Sequence, residues 1–260
     1  MSGDMRFVVI KKRSLFSAIA VLLAMALLFF GVSYSGAFAV FLNQPIRKVP
    51  IYRVARADKL VALSFDAAWG ADKTEGIIKI LKEYEADATF FLVGFWVDNY
   101  PEMTKKIAES GFEIGTHSNT HAHMARLSRQ QCAQDLKQSM EKIESCTGVK
   151  PQLFRAPFGE YDNELIEAAE SLGLMTIQWD VDSLDWMDKT TLEIAQRVLS
   201  RVKEGSIVLF HNNSDHILDA LPLVLERLKM RGFKCVKVGD LIYRENYVID
   251  SRGEQRLKSA

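Results

Sequence analysis

Strand-length apolar runs alternate with helical patterns along most of this chain, and that alternation constrains its fold more than any other feature. The runs are 60–66, 88–93, 112–116, 152–155, 174–180, 206–211 and 234–238, and helical patterns fall near 73–85, 101–110, 129–146, 161–172, 190–203 and 217–231. Strand, helix and strand in succession imply right-handed crossovers and a parallel sheet. About seven such units in the roughly 200 residues from Lys59 onward fit a distorted (β/α) barrel better than an open sheet. The fold expected is therefore α/β, a distorted barrel of about seven parallel strands. No repeat and no low-complexity tract interrupts the pattern.

Ahead of the barrel the chain reads differently. From Leu15 to Leu42 no residue is charged, which is long enough for a helix to span a bilayer. Residues 1–14 carry four basic side chains against Asp4, or 4 − 1 = +3. That cluster should stay in the cytoplasm and place the rest of the chain outside. Ala37-Phe38-Ala39 would suit a signal peptidase, but the apolar run outlasts an ordinary signal and continues past that site. The expected order is a cytoplasmic tail (1–14), a signal-anchor (15–42), a linker (43–59), the barrel domain (60–243) and a loose polar tail (244–260). A single-pass protein of the cell membrane, with its domain outside, follows.

Balance elsewhere excludes some classes. The 33 basic and 33 acidic residues cancel, which argues against nucleic acid as a partner. A composition 48% hydrophobic and 25% charged is that of a folded protein. Cys132 and Cys146 share a predicted helix that opens with a capping box at Ser128 and Gln131 and stops at Gly148. Fourteen residues at 1.5 Å each would part those thiols by about 21 Å, beyond disulfide reach. Cys235 falls in a strand, and all three are expected to be inert.

The residues able to do chemistry fall at one relative position. Asp66 ends the first strand, His117 follows the third, Arg155 ends the fourth, Asp182 follows the fifth and His211 ends the sixth. Barrel enzymes build their sites at these strand ends, so all five should converge on one mouth. In His117-Ser118-Asn119-Thr120-His121 two imidazoles can face one point as metal ligands do; solvated loop histidines are the bland alternative, and His123 is expected to be a bystander. Period-two alternation puts Leu209 beside His211, an apolar wall next to a group able to protonate a leaving amine, unless His211 is a hydrogen-bonded core residue. Asp182-Ser183-Leu184-Asp185-Trp186 combines carboxylates with an indole, as a sugar site would, or as a solvated acidic loop would. Arg155-Ala156-Pro157-Phe158-Gly159 offers a guanidinium suited to a carboxylate.

Taken in order, SFDAAWG (64–70), HSNTH (117–121), RAPFG (155–159), DSLDW (182–186) and LFH (209–211) resemble the five motifs of the polysaccharide deacetylases, the NodB-homology carbohydrate esterases. The resemblance covers residues 58–243, and the Phe-Asp-x-x-Trp-Gly form with an anchor is most similar to the sporulation-associated branch. It implies metal-assisted hydrolysis of N-acetyl groups on a glycan such as peptidoglycan. It makes Asp66 the general base, His211 the general acid, and Arg155 and Asp185 their orienting partners. His117 and His121 would hold a divalent ion, Zn²⁺ before Co²⁺ or Ni²⁺. Trp69, Phe158, Gly159, Asp182, Trp186 and Leu209 would line the substrate site, with a backbone N–H near Phe158 toward the oxyanion.

One departure stands out. The family carries a second Asp, its third metal ligand, where this chain has Ala67. Weak metal binding, a substitute ligand such as Asp72 or His123, or a glycan binder without turnover are the outcomes this predicts. A hydrolase of other linear amides is the remaining alternative.

Overall fold

The computed structural model describes residues 12–34 and 47–258. The chain divides into two units, 1–47 and 48–260. In the first, α1 (Lys12–Tyr34) is a 23-residue helix over the first part of the uncharged run. The end of that run and the Ala37-Phe38-Ala39 site lie outside the described residues. Among the described residues no helix is long and apolar enough to cross a membrane.

The second unit runs β1 (Arg53–Val54), β2 (Leu60–Ala67), α2 (Thr74–Glu83), β3 (Ala88–Leu92), α3 (Gly94–Asn99), α4 (Pro101–Glu109), β4 (Glu113–Thr116), α5 (Arg129–Thr147), β5 (Leu153–Phe154), α6 (Asn163–Ser171), β6 (Met175–Thr176), β7 (Val181–Asp182), α7 (Thr191–Arg201), β8 (Ile207–His211), α8 (Ile217–Met230), β9 (Lys234–Val236), α9 (Val238–Leu241), β10 (Tyr247–Ile249) and β11 (Glu254–Leu257). Seven parallel strands follow the order β6-β5-β4-β3-β2-β8-β7, and β9 pairs with the start of β2. The sheet curls into an incomplete barrel. Its register sets Asp66 between Phe91 and His211, and Leu209 beside Ser64.

Alternation along β2 separates two environments. Val61, Leu63, Phe65 and Ala67 belong to a cluster shared with the helices, where Ile77, Leu81, Trp96 and Val224 are buried. Phe65 stacks between Phe90 and Phe210 there, at centroid distances of 5.1 and 5.5 Å. Each such side chain contributes about 1.5–3 kcal/mol by leaving water. Ala62 turns the other way and packs with Phe91, Ile177 and Ile207 inside the barrel. Ser64 and Asp66 share that inner face, a buried pair of polar groups below the mouth.

The sequence places most elements within a few residues, including the capping box of Ser128 and Gln131 and a left-handed Gly148 closing α5. The thiols are free, with Cys132 and Cys235 buried. Burial pushes Cys132 to about 11 and Cys235 to about 12, so neither is reactive near neutral pH.

Three expectations need correction. The run 174–180 is not one strand: β6 ends at Thr176 and β7 begins at Val181, at opposite ends of the sheet. Between them Gln178 donates its N–H to Ile51, and the Asp180 carboxylate accepts the Ile207 N–H and the Ser206 hydroxyl. The described part of the supposed linker contributes the short strand β1 and two isolated bridges to the domain. Ile51 bridges Ile177 on one side of the barrel's opening, and Arg53 bridges Ser206 on the other. Nor is the tail loose, because β10 and β11 form a hairpin that pairs with β1. Asp250 builds the turn by accepting the N–H groups of Arg252 and Glu254. Gly253 has φ +80°, and a Cβ there would sit 2.2 Å from the Tyr52 ring, so no other residue fits.

Candidate active site

Loops at the C-terminal ends of β2, β4, β5, β6, β7 and β8 surround a cavity of about 730 Å³, within the range of small-molecule sites. Asp66, His117, His121, Phe158, Asp182, Asp185, Leu209, His211, Trp69 and Trp186 all line it. The mouth inferred from strand ends is therefore real. Arg155 lies beneath it, fully buried. Gly159 stands beside Trp179, whose ring would be 3.1 Å from any added Cβ.

Arg155 anchors the floor. Its Nη1 donates to Asp66 Oδ1 at 2.8 Å, and its Nη2 donates to Ser64 Oγ at 2.8 Å and the Gln178 carbonyl at 3.2 Å. Phe91 and Trp179 flank the guanidinium at 4.1 and 5.5 Å. Burial opposes a charge on Asp66, but His117, Arg155 and the Arg155 hydrogen bond outweigh it and hold the carboxyl below its ordinary range.

His117 has one assignable tautomer. Nδ1 lies 2.8 Å from the Arg155 carbonyl, which can only accept, so Nδ1 carries the proton and Nε2 keeps a lone pair. That Nε2 stands 3.5 Å from Asp66 Oδ2. Burial lowers its pKa, and burial followed by the neighbouring His117 brings His121 down to about 4. Both rings are thus neutral donors at pH 7, with centroids 5.0 Å apart. Their loop is not helical: Ser118 and His121 have φ of +70° and +53°. Asp135 clamps it by accepting from the Asn119 N–H and the Thr120 hydroxyl.

Across the cavity Asp185 holds His211 at two points. One carboxylate oxygen accepts the His211 backbone N–H and the other pairs with Nδ1, both at 2.8 Å. Nε2 is thereby the free ring nitrogen. Burial alone would lower the His211 pKa, but the hydrogen bond and charge of Asp185, then Asp66 and Asp182, raise it above its ordinary value. Leu184 and Phe158 also sit at positive φ, so four of the six such non-glycine residues among those described belong to this mouth. Strain of this kind collects where geometry is dictated by use. In the turn over Pro157–Gly159, Gly159 and Glu160 donate to Ala156 and Pro157, which leaves the Phe158 N–H outside both bonds. His123 is a bystander: it pairs with Glu160 and stacks on Phe158 at 4.3 Å.

A polysaccharide deacetylase family model matches residues 53–177. A peptidoglycan-N-acetylglucosamine deacetylase of Bacillus cereus is 30% identical over 196 residues, covering 74% of this chain and 92% of that protein. The chain belongs to the polysaccharide deacetylase family. It is also 33% identical to the uncharacterized protein YlxY of Bacillus subtilis over 76% of its length, but spans only 62% of YlxY. Among solved structures, a mutant of BA3943, a CE4 family pseudoenzyme of Bacillus anthracis with restored enzymatic activity, matches with TM-score 0.72 and 35% identity over 74% of this chain and 71% of that one.

Deacetylases of this family use a divalent metal, and the donors fit one in part. His117 and His121 offer two neutral imidazoles, the first oriented through its Nδ1–H as ligating histidines commonly are. Ala67 offers a buried methyl inside the helix-facing apolar cluster. Neither expected substitute fills the gap: Asp72 pairs with Lys73 and His123 with Glu160, and neither lines the cavity. Among the described residues no group of three His, Cys, Asp or Glu side chains is set to hold a metal ion. The family's carboxylate at this position, not the present orientation of the methyl, is the ground for expecting Ala67→Asp to tighten Zn²⁺ or Co²⁺ binding about 10-fold or more, or ~1.4 kcal/mol, with the new carboxylate turning out of the apolar cluster toward the imidazoles. Calorimetric titration of both proteins checks this, and unchanged nanomolar affinity in both would show that another group serves as third ligand.

Several lining residues escaped the sequence reading. Trp179, Met187, Asp188 and the loop from Asn213 to His216 reach the cavity without any motif of their own. Ser64 and Gln178 matter only through Arg155, a contact between positions 91 and 23 residues away from it.

Proposed function

We propose that this chain removes N-acetyl groups from a cell-wall glycan by amide hydrolysis, with peptidoglycan the polymer suggested by the names of its relatives. The observation that carries this reading is the facing arrangement of two oriented pairs, Asp66 with Arg155 and His211 with Asp185, across a cavity that also holds two neutral imidazoles. Asp66 accepts the proton of an attacking water. His211 presents Nε2–H to the leaving nitrogen, which cannot depart as an amide anion. The Phe158 N–H is available to the oxyanion, where preorganised donors are most effective. A divalent ion on His117 and His121, Zn²⁺ by preference for imidazole, would polarise the carbonyl and acidify water. Leu209 walls the space for the acetyl methyl, and Trp69 and Trp186 offer faces to sugar rings. Acetate release from chitooligosaccharides and peptidoglycan by the pure protein, with and without added metal, is the test.

Activity requires Asp66 ionised and His211 protonated. The first is held below the ordinary carboxylate range and the second above the ordinary histidine value of 6.5. Turnover should therefore stay flat from weakly acidic to neutral pH and fall as pH rises through the elevated His211 value. Asp185→Asn should move that alkaline limb to lower pH. An alkaline limb below pH 6.5 in the unmodified protein would remove His211 from the role of acid.

Ala67 supports a second reading, glycan binding without turnover, in line with the description of BA3943 as a pseudoenzyme. Binding of chitooligosaccharide without acetate release at saturating metal would decide for it.

The membrane anchor also belongs to this proposal. Its support is the +3 segment before the uncharged run, and the exposed apolar side chains of Leu22, Leu27, Leu28, Phe29 and Phe30 on α1. Protease added to intact protoplasts should digest the domain from residue 48 onward and spare the N-terminus. A protected domain would defeat the export reading, and a mature N-terminus at Val40 would mean cleavage in place of anchoring. The sporulation-associated branch rests on the same anchor with the Phe-Asp-x-x-Trp-Gly motif.

A further inference from the structure

The mouth is lined by five carboxylates, from Asp66, Asp182, Asp185, Asp188 and Asp215, but by no lysine or arginine. Three are answered: Asp66 by Arg155, Asp185 by His211, and Asp215 by Lys73 at 2.9 Å. Asp182 and Asp188 have no ion-pair partner among the described residues, although Asp182 accepts the Leu184 N–H. Ser214 supplies an independent sign. It is 6% exposed, lines the same cavity, and its hydroxyl has no hydrogen-bond partner. A buried polar atom left unmatched costs free energy until a ligand reaches it. Trp69 and Trp186, 56% and 60% exposed, add two π-faces that attract cations as well as sugar rings.

A ligand matching these features carries N–H donors and positive charge on a pyranose ring. We propose that the strand entering this mouth is already partly deacetylated, with an amine-bearing glucosaminyl residue against Asp188 and Ser214 while the N-acetyl group to be cleaved lies at His211. The identity of the sugar rests on the deacetylase reading above; the preference for positive charge rests on the mouth itself. A muramyl residue stripped of its stem peptide, with a free carboxylate on its lactyl ether, meets the same field as repulsion, whereas one whose lactyl carboxyl is amide-linked to peptide does not. Each round of deacetylation makes the polymer more cationic, so turnover strengthens the hold on the strand.

Calorimetry on the full chain at pH 6 would compare chitotetraose, a half-deacetylated tetramer and a peptide-free muramyl-containing tetrasaccharide. At low salt the half-deacetylated tetramer should bind at least about 10-fold more tightly than chitotetraose, and the muramyl sugar should bind weakest. Screening shortens to about 3 Å at 1 M salt, where the gap should close. Asp188→Asn and Ser214→Ala should each shrink it to threefold or less, and Ser214→Ala removes a hydroxyl that holds nothing in the fold. Equal affinities at low salt, or a gap that survives both salt and both variants, would overturn the proposal. Acetate release measured alongside separates the two ideas. No acetate from any oligomer, with the charge preference intact, sinks the deacetylase reading alone; acetate release without the preference sinks this inference alone.

Discussion

Replacing His211 with alanine is expected to reduce acetate release by about 10²–10⁴-fold, the usual contribution of a positioned general acid, while metal content stays unchanged. The side chain is held by two contacts from Asp185, lines the cavity and keeps Nε2 as its free ring nitrogen. His117→Ala should behave differently. Its Nε2 is one of two imidazole donors, so activity and metal should be lost together. Metal analysis beside an acetate assay separates the two roles in one experiment. A His211→Ala protein within about threefold of the parent would end its assignment as acid, and one that loses its metal would make it a ligand.

What could be read from sequence divides along a physical line. Strand ends were legible because period-two alternation and the βαβ rule are local, and they brought Asp66, His117, Arg155, Asp182 and His211 to one mouth without coordinates. Arg155 could be named as a partner for a carboxylate, but its bonds to Ser64 and Gln178 could not. They join strands whose register is set by the curled sheet as a whole. The HSNTH spacing shows that two imidazoles can face one point but not how the backbone aims them: the chain uses two left-handed residues and the Asp135 clamp, which no local pattern announces. Asp188 and Ser214 carry no local signature at all. Their meaning comes from what else lines the cavity, and from what fails to bond to them.

The barrel's margins show the same limit. Pro50, Arg53 and the charges around them look like a linker, since a strand of two residues has no period to detect. Tertiary pairing makes it a strand, through Ile177 and Ser206 on either side of the opening and β11 along its edge. Tyr247-Val248-Ile249 and the turn closed by Gly253 could have signalled the hairpin, but three strand residues weigh little against a polar surround. Removing residues after Arg244 should therefore expose the barrel's open side, and no motif would have warned of it.

Arg155→Met is expected to be the most damaging single change to stability. The guanidinium is fully buried, and Asp66 beside it is 5% exposed. Breaking such a pair from one side leaves a charge without solvent or partner and costs about 3–5 kcal/mol. Here the loss also strands the Gln178 carbonyl and leaves Ser64 Oγ with only the bond its own O–H donates to the Val208 carbonyl. Met is close in length and apolar, so the loss reports on charge and hydrogen bonding more than on a cavity. The double variant Arg155→Met with Asp66→Asn should recover much of it, because a buried pair replaced on both sides is far less costly than one cut in half. Urea titration of the three proteins would show this as midpoints that drop and then partly return at constant slope. An Arg155→Met protein within about 1 kcal/mol of the parent would mean that Asp66 is already neutral in the fold. Its ion pair, and with it the general base, would then have to be given up.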